Sequence, residues 1–210
     1  MITDPVASDR RGAERPSGDN FHVLVVCRAN HCRSPLMEYL LREQVTLRNL
    51  NWNVSSAGTE AVDGWPMHPH SNQILRDRGL RTQGWVSRRL DETVLAGVHL
   101  VLTATQEQRE FVEDLQPALI GSTFTLLHLA HFTRSSHPDR KLAAVELGPW
   151  LLREAYRRRK WLDRSPESAR DLEDPLGRPL NRFRGCASLI SDAYSDILAS
   201  GPVALSGRRR

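Results

Sequence analysis

Cysteine is scarce in this chain. Cys27, Cys32 and Cys186 are the only three among 210 residues. An odd, small number makes a poor disulfide framework and suits a reducing cytoplasm. Cys27 and Cys32 have no second Cys or His pair at finger spacing, so they fall short of a four-ligand zinc site. No metal and no cofactor is expected. Long apolar runs are missing as well. No stretch reaches the ~18 residues that a membrane-spanning helix needs, and "MITDPVASDRRGAERPSGDN" has no apolar centre of a secretory signal. Charge of one sign is also in short supply. The excess is +4, from 29 basic and 25 acidic residues, and much of it sits in "DRRGAER" (9–15) and "SGRRR" (206–210). So small and terminal an excess gives no nucleic-acid footprint.

What remains is a chain with 40% hydrophobic and 26% charged residues, long enough for one α/β domain with a sizeable core. Residues 1–20 read as a disordered leader, 21–200 as the domain and 201–210 as a basic tail. "FHVLVV" (21–26) is rich in valine, as a strand buried on both faces should be. "WNVSS" (52–56), "VHLVLTA" (98–104) and "TFTLLHL" (123–129) read as further strands. Helices are expected after the first strand, over 71–78, in "LDETVLAG" and from "TQEQREFVEDL". Strands alternating with helices predict a parallel sheet covered on both faces. "HFTRSSHPDRK" reads as a loop and "LLREAYRRRKWL" (151–162) as a helix within an insertion over about 131–170. Phe183, Cys186, Ile190, Tyr194, Ile197 and Leu198 form one helical stripe, stopped by Gly201-Pro202.

The first strand ends in an unusual turn, "CRANHCRSP" (27–35). Ser34 is placed to cap the following helix, with Pro35 at its first position. A loop entering a helix N-terminus aims backbone N–H groups inward and makes an anion site. The same field favours a thiolate, so Cys27 is a candidate nucleophile. Arg33 supplies a planar fork for two oxygens of a tetrahedral oxyanion. Arg28, Ala29, Asn30, His31, Cys32, Arg33 and Ser34 would then circle one phosphate above the sulfur. A thiolate attacking phosphorus also needs an acid for the departing oxygen. In "EDPLGRP" (173–179), Pro175 keeps Asp174 out of helical geometry and stiffens its loop. Asp174 is therefore the candidate general acid, with Asp171 its nearest competitor.

The strand, the C-x5-R-S-P turn opening a helix, "SSAGT" and a late Asp-Pro before a final helix resemble the low-molecular-weight protein tyrosine phosphatase family. The resemblance implies a single-domain α/β fold with a four-stranded parallel sheet, order 2-1-3-4, flanked by helices on both faces. It sets Cys27 on the nucleophile, Arg33 on the phosphate-binding arginine and Asp174 on the general acid. Ser34 falls on the serine that assists the thiolate, Asn30 on the loop-shaping asparagine and Ser56 on a loop-bracing serine. Cys32 falls on a cysteine that forms a reversible disulfide with the nucleophile. The implied substrate is a phosphotyrosine protein, a bacterial tyrosine kinase among the candidates. Three positions depart from the pattern. Ala29 stands where the family has Gly, "DPLG" lacks the tyrosines that often follow Asp-Pro, and Trp85 stands in place of a loop-supporting histidine.

Two rival readings share the turn. One is arsenate reduction coupled to a low-molecular-weight thiol. The thioredoxin-coupled form is disfavoured, because no cysteine lies between Cys32 and Cys186. The other is a non-catalytic phosphate-binding regulator. Cys186 is expected in the core, His128 and His131 in structural roles, and "RRRK" (157–160) on a solvated helix face. Trp65, His68 and His70 are candidates for the cleft border.

Overall fold

The protein is described by a computed structural model covering residues 20–134, 138, 142–162 and 171–199. The expected leader and basic tail lie outside the described residues, apart from Asn20, and the 131–170 segment is described only in part.

The central strand β1 (Phe21–Cys27) is flanked by β2 (Trp52–Gly58) on one side and β3 (Leu100–Thr103) on the other. Beyond β3 lies β4 (Thr123–Thr125), and every pairing is parallel, in the order β2-β1-β3-β4. The expected topology therefore holds. Alternation along β1 supplies both faces of the sheet. Val23, Val25 and Cys27 pack into one apolar cluster with Leu36, Leu40, Phe183 and Ile190. Leu24 and Val26 pack into another with Leu95, Val101 and Val112. The first face is covered by α1 (Arg33–Leu47) and α7 (Leu180–Ile197), with α2 (Pro69–Asp77) and α5 (Leu126–Arg134) beside them. The second is covered by α3 (Glu92–Leu95) and α4 (Gln106–Leu115). The stripe on α7 is buried throughout, Cys186 included.

Several boundaries differ from the sequence reading, each for a local reason. The fourth strand stops at Thr125, and Leu126–Leu129 begin α5, which runs on through His131–Arg134 of the expected loop. Thr125 Oγ1 accepts from His128 N at 3.3 Å, and Leu126, Leu129, Ala130 and Thr133 bury one helical face. Helix α6 (Ala144–Leu162) starts seven residues before the expected 151 and carries Pro149 inside it. The Glu146 carboxylate accepts from Ala143 N at 2.8 Å and so satisfies an amide at its start. Ser34 does not cap α1. Cys32 holds the cap position without a side-chain hydrogen bond, and the Ser34 hydroxyl is engaged elsewhere.

β1 continues one residue past its apolar run and delivers Cys27 to the carboxyl edge of the sheet. The chain then moves to β2 on one side and β3 on the other, and such a switch point opens a crevice beyond the strand ends. Gly58 closes this crevice against β2. A Cβ at position 58 would lie 2.5 Å from Asn30 N and 2.6 Å from Arg28 O. Both obstacles are backbone, so they cannot swing aside. Gly58→Ala should cost about 1–3 kcal/mol by overpacking, seen as a Tm lower by roughly 2–12 °C, and should weaken vanadate binding by the displaced turn.

Candidate active site

The 28–32 turn wraps over the end of β1 with its amides unspent. Among the described residues, none of the backbone N–H groups of residues 28–32 donates to a protein acceptor. One residue makes the turn possible. Asn30 adopts φ +47°, a left-handed conformation that Asn tolerates better than most side chains. Ala29 does not, so alanine in place of the family's glycine meets no backbone penalty there.

The Asn30 side chain braces its own turn. Its amide N–H groups donate to Ser34 Oγ at 2.8 Å and to Ser56 Oγ at 2.9 Å, and its Oδ1 accepts from Arg88 N at 2.8 Å. Ser34 Oγ lies 3.0 Å from Cys27 Sγ. Since Asn30 already donates to that hydroxyl, the Ser34 proton is free to point at the sulfur. Ser56 in turn donates to the Glu38 carboxylate. Trp85 Nε1 donates to the same carboxylate at 3.0 Å, and Arg42 pairs with it at 2.7 Å. Trp85 thus supplies the supporting N–H in the position where the resemblance expected histidine. The Tyr194 phenol of α7 is fully buried, and burial first, then the Glu38 charge, pushes its pKa well above the usual value.

Arg33 is 6% exposed and faces the same crevice. Its NH2 group pairs with Asp174 Oδ2 at 2.6 Å, and its NH1 group donates to Leu172 O at 3.1 Å. Its Nε is buried with no hydrogen-bond partner among the described residues. An orphan guanidinium donor beside the unspent amides of the turn fits an oxyanion. The Asp174 side chain is 42% exposed, and its Oδ1 accepts from Leu176 N at 3.1 Å. The competing carboxylate is elsewhere. Asp171 Oδ1 accepts from Gln106 N at 2.7 Å, at the start of α4.

The remaining sequence candidates form the rim. The exposed Arg28 pairs with Glu60 at 2.7 Å. His31 donates from Nδ1 to the Pro66 carbonyl at 2.9 Å, and its own carbonyl accepts from His68 N at 2.8 Å. His68 stacks on Phe183 and caps α2 by accepting from His70 N. Burial, then His31 and His70, lowers its pKa. Trp65 is 60% exposed and Leu176 55%, one on each loop beside the crevice. Cys32 and Cys186 are buried and free, and burial is the main cause that pushes both thiols up to about 12. Buried Ser71 holds the turn from α2 by donating to Cys32 O at 3.0 Å.

Sequence reasoning missed Glu38, Gly58, Ser71 and Arg88. Glu38 left a signal, since it is a carboxylate between Met37 and Leu40 on the buried face of α1. The Ser71 and Arg88 contacts depend on long-range packing and left none.

This geometry can hold a tetrahedral oxyanion over a sulfur nucleophile, with a carboxyl group within reach of the departing atom. The comparisons point the same way. The family model described as "Low molecular weight phosphotyrosine protein phosphatase" matches residues 22–139, more than half of the chain. A probable low molecular weight protein-tyrosine-phosphatase, EpsP, of Ralstonia nicotianae is 28% identical over 124 residues, covering 59% of this chain and 83% of that protein. The crystal structure of the low molecular weight protein tyrosine phosphatase of T. tengcongensis superimposes with a TM-score of 0.64 at 21% identity, over 85% of this chain and 98% of that one. The YwlE arginine phosphatase of Geobacillus stearothermophilus does so with 0.61 at 20% identity, over 85% and 91%.

Two outcomes follow from the site. Iodoacetate should carboxymethylate Cys27 and spare Cys32 and Cys186, because only thiolate reacts and burial pushes those two thiols up to about 12. Vanadate should shield Cys27, and mass spectrometry of tryptic peptides reads both effects. Glu38→Ala strips the acceptor from buried Ser56 and Trp85, so denaturant unfolding should show a loss of about 2–3 kcal/mol.

Proposed function

The chain belongs to the low molecular weight phosphotyrosine protein phosphatase family, and on that premise we propose that it hydrolyses protein phosphotyrosine through a phosphocysteine. One observation carries the proposal. Arg33 joins the turn above Cys27 to Asp174 through a 2.6 Å ion pair across 141 residues of sequence. Nucleophile, oxyanion ligand and proton donor then share one crevice.

In the first step the Cys27 thiolate attacks phosphorus in line. The P–O bond to the phenol breaks, and Asp174 delivers a proton to the departing oxygen. Amides of residues 28–33 and the Arg33 guanidinium hold the equatorial oxygens as charge redistributes. Arg33 reaches the phosphate through its free Nε and through the NH2 group that otherwise pairs with Asp174. In the second step Asp174, now a carboxylate, takes a proton from water. The water oxygen attacks phosphorus, the S–P bond breaks, and the Ser34 hydroxyl stabilises the returning thiolate.

Trp65 and Leu176 favour an aryl leaving group, since they offer apolar surface at the mouth where "DPLG" has no tyrosine. A bacterial tyrosine kinase, itself a phosphotyrosine protein, is a substrate of this class, and a reduced thiol suits a cytoplasmic setting. Asp174 also weighs against arsenate reduction, which has no phenol to protonate.

Turnover of p-nitrophenyl phosphate tests the reading. Cys27→Ser should abolish it, and Asp174→Ala should lower kcat by about 10²–10⁴. Phosphotyrosine peptides should be cleaved in preference to phosphoarginine peptides. A folded wild type that binds vanadate yet turns over neither would be a regulator instead.

A further inference from the structure

Beside the crevice runs a second concavity that the proposed chemistry does not use. It is a surface groove of about 900 Å³ between α2 and the 79–85 segment. Its apolar surface comes from Pro66, Met67 and Leu80, and its charge from Arg76 and Arg81. No carboxylate lines it. Among the described residues neither arginine makes an ion pair or a side-chain hydrogen bond. Their neighbours do, since Arg78 pairs with Glu43 at 3.7 Å and Asp77 with Arg184 at 3.9 Å. The groove's walls are tied together, because Thr82 Oγ1 donates to Asn72 Oδ1 at 2.6 Å. That bond leaves the Asn72 amide N–H groups to add donors beside Arg76 and Arg81.

The groove also adjoins the phosphate turn through Pro66, which lines it. Pro66, at one end of it, accepts from His31 of the phosphate turn, and His68 N donates back to the His31 carbonyl. A polypeptide whose phosphorylated side chain stands over Cys27 has this groove as its neighbouring surface on the His31 side. We propose that the groove docks an acidic segment of the phosphoprotein substrate, with carboxylates meeting Arg76 and Arg81 while the backbone lies over Leu80 and Met67. This rests on the phosphatase reading above and deepens it, since it adds a charge requirement to the substrate. The charges are exposed, so their effect belongs in substrate capture and should fade with salt.

Three phosphotyrosine peptides test it. One carries a run of glutamates before the phosphotyrosine, one carries it after, and one has glutamine at all those positions. At low salt, one acidic peptide should show a KM several-fold below that of the glutamine peptide, with kcat unchanged. Arg76→Gln and Arg81→Gln should each raise that KM about two- to fivefold. The double variant, and about 0.5 M NaCl, should erase the preference. Turnover of p-nitrophenyl phosphate should not change in any of these variants. Arg76 also lies in the last turn of α2 and complements its dipole. A purely structural role would therefore lower Tm and leave the KM difference between peptides intact. Equal KM values for the three peptides, or a preference that survives in the double variant, would overturn the docking proposal. Failure of the wild type to cleave p-nitrophenyl phosphate would instead overturn the phosphatase reading.

Discussion

The side-chain amide of Asn30 is the contact on which the rest of the site depends. A turn that presents its N–H groups to a ligand cannot use them to hold itself together, so it must be held from behind. Asn30 does this with both ends of its amide, reaching Ser34, Ser56 and Arg88 at once. The hydrogen-bond directions then run one way. Each hydroxyl is told by its neighbour where to send its proton, and one chain ends on the Cys27 sulfur while the other ends on Glu38. A carboxylate buried at that distance from the crevice would be costly alone, but with Ser56, Trp85 and Arg42 around it the cost is offset.

A parallel sheet with helices on both faces was legible because apolar strand runs alternate with helical stripes, β1 and α7 the plainest cases, whereas the strand order came only with the family resemblance. Boundaries were less so. "TFTLLHL" satisfies a strand pattern and a helix pattern in the same seven residues, and Thr125 decides between them by capping the helix. The turn itself was readable as a site, since no structural need explains Cys, Asn, Arg and Ser packed behind a buried strand. Asp174 was readable only in combination with that turn. Asp171 carries the same chemistry three residues away, and long-range packing alone sends one carboxylate to α4 and the other to Arg33.

The departures from the family pattern separate into backbone and side-chain questions. At Ala29 the backbone answers, because the left-handed residue is its neighbour. At Trp85 the side chain answers, because an indole N–H serves Glu38 as a donor. The "DPLG" segment remains a matter of substrate, with Leu176 and Trp65 offering a different apolar border from a pair of tyrosines.

The strip that carries Asp174 is pinned at three points. Asp171 is fastened to Gln106, Leu172 N to the Ala104 carbonyl, and the Leu172 carbonyl to Arg33. Ahead of those anchors lies α6, whose Leu147, Leu151 and Ala155 pack into the core. Anchoring so close to Asp174 insulates it from that stretch. A shift in the chain before residue 171 has to break these hydrogen bonds before it can move Asp174. The position of the Asp174 carboxylate is thus uncoupled from the conformation of the chain ahead of it.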